Sequence, residues 1–401
     1  MKAGWQTKSL GDVLEKTETV NPLQSPETEF DYIDVSSVSN TTFQVEQTQR
    51  LKGKDAPSRA RKLVKTDDVI FATIRPTLRR IAIVPPHLDK QVCSTGYFVL
   101  RPKPFLDHRF MYYWLFAEEF MGKMEALQKG ASYPAVTDKE VRDQAIPFPS
   151  LPEQQRIVTL LDESFDGIAI ARANASKNLQ NARAIFESQR EVLLSFKPGW
   201  LEAPLAELCD VKHGYAFDGE FFAPDGDYVL LTAGSFFETG GYRERGEKTK
   251  FFVGQIPSDY ILDAGDLLVA MTEQAAGLLG SPLLVPESNR FLHNQRLGLV
   301  AGKTGVPWLN EFFFHVFNLG RIRQEIHGSA SGVKVRHTSP GRIGAVKVAY
   351  PKSVAEQNRV TTQLGDLSEE CERLESLNQR KLTALDELKK SLLHRAFDGD
   401  L

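Results

Sequence analysis

Cysteine is scarce: Cys93, Cys209 and Cys371 are the only three in 401 residues, odd in number and far apart. This excludes a disulfide framework, offers no zinc-ligand spacing and suits a reducing compartment. Long apolar runs are also missing. Nothing approaches the roughly 20 residues of a membrane span, and the opening MKAGWQTKSLGDVL has no signal-peptide core. A cytoplasmic location is expected. Catalytic signatures are absent as well, with no GxxxxGK[ST], no GxGxxG between strand and helix, no HExxH and no GxSxG. The eight histidines (His87, His108, His213, His293, His315, His327, His337 and His394) are scattered, and none sits at metal or triad spacing with Cys, Asp or Glu. The Asp67-Asp68 pair reads as a solvated turn before a strand. No metal site and no catalysis are therefore expected of this chain. There is no excess of positive charge either: the formal net charge of -3 argues against wholesale coating of nucleic acid, though not against local basic patches.

What the chain does have is a repeat. With 41% hydrophobic and 25% charged residues it is an ordinary globular sequence, too long for one core. FPSLPEQQRIVTLLDE from Phe148 and YPKSVAEQNRVTTQLGDL from Tyr350 share proline, a spacer, Glu-Gln-x-Arg and an apolar helical pattern. WQTKSLGDVL from Trp5 matches WLEAPLAELC from Trp200, and VKTDDVIFATI from Val64 matches ILDAGDLLVAM from Ile261. Lys129 to Pro149 aligns without gaps on Ser331 to Pro351, so that Gly130 faces Gly332, Thr137 faces Ser339 and Val141 faces Ile343. A period of about two hundred residues is far too long for a solenoid; each copy is a domain with an appended segment.

The expected fold is therefore α+β. Two tandem mixed α/β domains, 1–150 and 198–352, are each followed by a long helix, 151–197 and 353–401. Strands are predicted at FDYIDVSSV, VIFATI, RIAIV and GYFVLRP, and again at YVLLTAG, LLVAM, SPLLVP and RLGLVAG. MYYWLFAEEFMGKMEAL and WLNEFFFHVFNLGRIRQEI are each expected to form one packed helix. In the appended segments a heptad seam runs through Ile157, Leu161, Ile168, Leu179, Phe186 and Leu193, with small residues at Ser164, Ala171, Ala175 and Ala182 and with Gln189 and Phe196 keeping the spacing. Its counterpart uses Leu364, Leu367, Leu374, Leu385, Leu388 and Leu392 and is interrupted at Asn378 and Lys381, where Leu377 and Leu382 could cover the gap. Two such helices are expected to pack as an antiparallel coiled coil with pseudo-two-fold symmetry.

Two stretches are locally basic. Ten Lys or Arg fall between Arg50 and Arg80 against three acids, and Ile326 to Ala355 contains no acid at all. Loops in the same aligned slot carry different side chains, which suits two domains that read different things. The candidate DNA contacts in the first domain are Arg75, Arg79 and Arg80 beyond a strand, with Lys129, Ser132 and Tyr133 in the aligned loop. In the second they are Gln274, Asn294, Gln295 and Arg296, with Lys334, Arg336, His337 and Arg342. Arg and Lys reach phosphates and guanine edges, Asn and Gln pair with adenine, and Ser, Thr and Tyr donate to either.

The order domain, long helix, domain, long helix, together with LPEQQRIVTLLDE, AEQNRVTTQLGDL and the terminal ELKKSLLHRAFDGDL from Glu387, resembles the DNA-specificity subunit of type I restriction-modification enzymes along the whole chain. The resemblance implies two target-recognition domains that each read half of a bipartite asymmetric site on double-stranded DNA. It implies helices that act as spacer and as docking surface for two modification subunits, with restriction subunits as optional further partners. It also implies a non-catalytic chain without a cofactor, S-adenosylmethionine and the adenine methyltransferase chemistry belonging to the modification subunit. The competing expectation is a coiled-coil scaffold whose two β-rich domains bind proteins, with salt-insensitive binding and no role on DNA.

Overall fold

In the computed structural model, which describes residues 4–273 and 277–401, each apolar run named above contains a strand. The chain divides into two compact units, Met1–Ser176 with Gln379–Leu401 and Lys177–Asn378. Both are built to one plan. In the first, Val69–Ala72 lies between Ile81–Ile83 and Tyr97–Leu100, all antiparallel. All four of its residues are buried, because both faces of the sheet are covered. Period-two alternation divides them: Val69 and Phe71 join a core with two helices, and Ile70 and Ala72 join a second cluster with Ile33, Val38 and Tyr97. In the second unit Leu267 and Val269 face the helices, while Leu268 and Ala270 face away. Each unit adds a four-stranded sheet with one parallel pair, Glu29–Ile33 with Val92–Ser94 and Tyr228–Leu230 with Phe291–Leu292.

The opening and closing strands of each domain also pair, Gln6–Ser9 with Ala145–Phe148 and Leu201–Pro204 with Lys347–Tyr350. Before each closing strand a short helix is capped by the aligned hydroxyls. Thr137 accepts from Glu140 N and Ser339 from Arg342 N. The aromatic-rich segments differ from expectation, since each forms two helices instead of one: His108–Trp114 and Glu118–Leu127, then Asn310–Phe317 and Gly320–Gly328. Their aromatics occupy more than one face of a continuous helix, and a break lets each half bury its own. Asn318 and Gly320, weak helix formers, flank the second break, and Glu118 and Glu119 open the helix after the first, where the dipole favours acids.

The appended segments are helices Leu151–Leu193 and Val354–Asp398. In the first unit they run antiparallel. Arg172 pairs with Asp386, Lys389 Nζ sits 5.0 Å from the Phe165 ring centre, and Arg156 Nη2 donates to the Leu401 carbonyl at 2.6 Å. Ile157, Val158 and Leu161 share one core with Leu393, Ala396 and Phe397, and the Phe397 ring packs 5.2 Å from Phe110. The second unit repeats this with Leu194, Val360 and Leu364 in its core and with Arg183 paired to Glu375.

The seam differs in phase from the heptad reading. Ile157, Leu161, Ile168, Ala175, Ala182 and Leu364 are buried, and Leu179, Phe186, Leu193, Leu367, Leu374, Leu385 and Leu392 are half-buried. Leu388 is 47% exposed, Phe196 and Leu377 are exposed, and Gln189 points to solvent while Arg190 is buried. A straight helix turns once per 3.6 residues and drifts from a strict 3.5 repeat, so the later positions slip by one: Lys389, Leu393 and Ala396 replace Leu388. Asn378, read as an interruption, is buried, with Nδ2 donating to the Leu374 carbonyl at 2.8 Å. Ile168→Asp is expected to lower the unfolding free energy by about 3 kcal/mol through an unpaired buried charge. Leu388→Asp should change it by less than about 0.5 kcal/mol. Urea denaturation of both variants measures the contrast, and equal losses would return Leu388 to the seam.

The glutamine of the repeated Glu-Gln-x-Arg is completely buried in both copies. Gln154 Nε2 donates to the carbonyls of Pro149 (2.9 Å) and Phe105 (3.1 Å), and its Oε1 accepts from Asp107 N at 2.8 Å. Gln357 Nε2 donates to the Pro307 carbonyl at 2.9 Å. One side-chain amide thus ties the start of each long helix to the loop before its domain's helical pair. Gln154→Met keeps the volume and strands three backbone groups, so a loss of about 2–4 kcal/mol is expected. A denaturation midpoint like the parent's would show that the amide carries no such role.

Candidate nucleic-acid interface

The aligned loops are positioned by matching backbone contacts. Lys129 bridges Ala135 and Ser331 bridges His337, closing loops over Gly130 and Gly332. Both glycines have positive φ, +106° and +98°, and a Cβ on Gly332 would meet the Val335 carbonyl oxygen at 2.1 Å. Ile74 pairs with Ala135, and Thr272 with His337. On these matching frames the tips differ: Ser132 and Tyr133 are exposed in one, and Val333 and Lys334 in the other.

In the first domain the tip joins the turn after the central strand. Arg75 N donates to the Pro134 carbonyl at 2.6 Å and its Nη2 to the Ser132 carbonyl at 3.2 Å, while the guanidinium lies 5.0 Å from the Tyr133 ring centre. Arg75 and Arg79 both adopt left-handed backbone, φ +50° and +53°. This turn holds an exposed guanidinium stacked on an exposed ring. Among the described residues no carboxylate pairs with Arg75, Arg79, Arg296 or Lys334.

In the second domain Asn294, Gln295 and Arg296 form the turn between Phe291–Leu292 and Leu297–Gly302. Gln295 and Arg296 are exposed, and Asn294 Oδ1 accepts from Arg296 N at 3.3 Å. Tyr215 is laced to this turn, its N donating to the His293 carbonyl and its carbonyl accepting from Gln295 N, each at 2.9 Å. Its ring neighbours Phe217 (5.1 Å) and Tyr260 (5.3 Å), and Lys212 Nζ stands 4.8 Å from the Tyr260 ring centre. Sequence reading missed this cation and aromatic patch. Its local signal is VKHGYAF, where basic and aromatic residues interleave. His293 beneath it is no charge source: burial pushes it down to about 4, and its Nε2 lies 3.0 Å from the Leu297 carbonyl.

Residues 2–180 match the family model of the type I restriction modification DNA specificity domain. The match covers the first copy, less than half of the chain. The HindI specificity subunit of Haemophilus influenzae is 27% identical over 188 residues, 46% of this chain and 40% of that subunit. The EcoDI specificity subunit of Escherichia coli is 24% identical over 112 residues, 28% of this chain and 24% of that protein. The chain thus spans less than half the length of the curated relatives it matches. Two solved structures share its fold at 24% identity. One, solved for the complex assembly and conformational transition of the type I R-M system, gives a TM-score of 0.85 and covers 100% of this chain and 99% of that one. The HsdS subunit from Thermoanaerobacter tengcongensis gives 0.71, covering 100% and 98%. The resemblance read from the sequence is borne out, as is its fold of mixed α/β domains with two long helices.

Within the specificity domain and its second copy several expected contacts are committed elsewhere. Arg80 Nη1 donates to the carbonyls of Val35, Ser36 and Val38, bracing that turn. Much of the basic run before it is neutralised by acids distant in sequence. Arg50 meets Asp31 and Glu29, Lys52 and Lys54 meet Glu27, Lys62 meets Asp138, and Lys65 meets Glu18. Lys65, and after it Arg101, hold the Glu18 carboxyl at about 2. Lys129 is exposed and lies 3.3 Å from Glu140. Arg342 is exposed, donating to Ser331 Oγ and the His337 carbonyl. His337 is exposed, and Gln274 lies outside the described residues.

Arg336 is half-buried. Its Nη2 donates to the His327 carbonyl at 2.7 Å and its Nη1 lies 2.7 Å from His327 Nε2, which is 3.0 Å from Glu273 Oε1. Glu273 Oε2 in turn accepts from the backbone N–H groups of Gly277, Leu278 and Leu279. The chain Glu273, His327, Arg336 therefore holds the second loop's frame and does not offer a free guanidinium. Among the described residues no group of His, Cys, Asp and Glu could hold a metal, and no helix is long and apolar enough to cross a membrane. The three thiols are buried, and burial pushes Cys93 and Cys209 up to about 12. Arg336→Ala is expected to lower stability by about 1–3 kcal/mol, and Arg75→Ala by less than about 1 kcal/mol. Thermal denaturation compares them; the reverse order would put Arg336 among the free loop residues.

Proposed function

We propose that the chain is the DNA-specificity subunit of a type I restriction-modification complex, reading a bipartite asymmetric site with one half-site per domain. The family match over residues 2–180 carries this reading. It is supported by a second domain on the same backbone frame with different exposed side chains. The subunit itself performs no chemistry. S-adenosylmethionine and methyl transfer belong to two modification subunits docked on the long helices, with restriction subunits joining as further partners. The helices set the gap between half-sites, and the fully reducing, cytoplasmic setting suits three unpaired cysteines.

The proposed division of labour follows from side-chain chemistry. Arg75, held against Tyr133, presents a planar fork with little conformational entropy left to lose, the form suited to a guanine edge. Gln295 can pair with adenine and Arg296 with guanine from one turn beside Tyr215. Lys334, at an exposed tip, suits a phosphate. A net charge of -3 leaves most phosphate neutralisation to the larger subunits. The test is site selection from a randomised duplex pool by the chain assembled with its modification subunits. Arg75→Ala is expected to lose about 1–3 kcal/mol of discrimination at positions of one half-site, leaving the other unchanged. Lys334→Ala should weaken all sequences alike, with a salt slope smaller by roughly one. Binding that ignores salt and sequence in the parent complex would favour a protein-binding scaffold instead.

A further inference from the structure

A cavity of about 380 Å³ lies in the second unit, where the end of the first long helix faces the break between Asn310–Phe317 and Gly320–Gly328. Its wall carries Arg190, Asn318 and Arg323 beside the carboxylates of Glu187 and Glu238, and two of the donors lack acceptors. Arg190 and Asn318 are each only 6% exposed. Arg190 Nη2 donates to the Asn318 carbonyl at 3.0 Å and to the Glu187 carboxylate, but its Nε is buried without a partner. Asn318 Oδ1 accepts from Arg323 Nη1 at 3.4 Å, and its Nδ2 is buried without an acceptor. Arg323 donates otherwise only to neutral oxygens, the carbonyls of Leu279 (3.1 Å) and Gly277. Burial first, and Arg190 as a neighbouring cation, lower Arg323 to about 10 against the opposing pull of Glu273. The acids nearby are committed: Glu187 to Arg190, Glu238 to Arg243, and Glu273 to His327 and three backbone N–H groups.

Two guanidiniums and a primary amide with unspent hydrogens therefore share one concave space, and beyond the Glu187 carboxylate they keep donors for an anion with several acceptor oxygens. Donors from three residues match the oxygens of a phosphate better than the two of a carboxylate. The cavity also exceeds a bare phosphate, leaving room for an organic group beside Thr239 and Leu279. We propose that this cavity binds a small phosphate-bearing molecule through Arg190, Arg323 and Asn318, as a site separate from the DNA-reading loops. Inorganic phosphate and the phosphate of an organic monoester share this chemistry.

The test is isothermal titration of the full chain, without DNA and at physiological salt, using inorganic phosphate, glycerol 3-phosphate and acetate as probes. Saturable binding of at least one phosphate, with none of acetate, is expected. Tighter binding of glycerol 3-phosphate assigns the organic ester, and equal binding assigns the free ion. Asn318→Asp places a carboxylate between the two arginines. It is expected to melt no lower than the parent and to weaken phosphate binding at least tenfold. Arg323→Gln should weaken it to a similar extent, and Asn318→Asp still decides the matter if that variant does not fold. Absence of saturable phosphate binding, or equal binding by the parent and Asn318→Asp, overturns the proposal. Displacement of bound phosphate by a short duplex would make the cavity part of the DNA surface and overturns it too. Because no DNA enters the primary titration, its failure leaves the specificity-subunit reading standing.

Discussion

The buried amide at the start of each long helix is the constraint on which the rest of each unit depends. A helix start leaves backbone donors unpaired, and the loops around it expose carbonyls that water cannot reach once the helix docks. Gln154 meets two such carbonyls and one backbone N–H with one planar group, and Gln357 meets the equivalent loop in the second unit. With the start pinned, the residues one and two turns further on are forced into the domain core: Ile157 and Leu161 in the first unit, Val360 and Leu364 in the second. The surrounding residues extend the tie differently in the two copies. Trp200 Nε1 donates to Glu356 at 3.0 Å, and Arg156 holds the Leu401 carbonyl. Each core is then completed by the end of the other long helix, with Phe397 in the first and Leu194 in the second.

A rigid frame with interchangeable tips follows from the same economy. The plan shared by the two units uses hydrogen bonds that any side chain permits, such as the bridges Lys129 to Ala135 and Ser331 to His337. It also uses two glycines where a Cβ is strained and, in the second copy, obstructed. Side chains at the tip bear no part of that load, so they can differ without cost to the fold. The position after the central strand illustrates the freedom. In the first domain Arg75 turns outward and stacks on Tyr133, whereas in the second Glu273 turns inward and collects three backbone N–H groups. A buried carboxylate with those donors and His327 beside it is a structural clamp; an exposed guanidinium on a ring keeps donors free for another molecule.

The amino-acid sequence by itself determined the duplication, the strands, the handover to each long helix and the absence of familiar catalytic motifs. These are written in neighbouring residues: short continuous apolar runs bounded by turn residues mark Val69–Ala72 and Leu267–Ala270 as strands, and Gly130 and Gly332 impose the same turn twice. The tertiary structure decided which charged side chains remain free. Arg80 and Arg336 looked like readers because carbonyls of residues 35–38, and His327, are invisible to a local pattern. Likewise Lys52, Lys54 and Lys65 meet Glu27 and Glu18, acids from outside the basic run. Seam phase beyond four heptads was also hidden, since a small difference between 3.5 and 3.6 residues per turn accumulates until Leu388 faces solvent and Lys389 does not. Periodicity is a local property and can be read along the chain; the partner of a charge is set by folding, which brings together residues that the sequence keeps far apart.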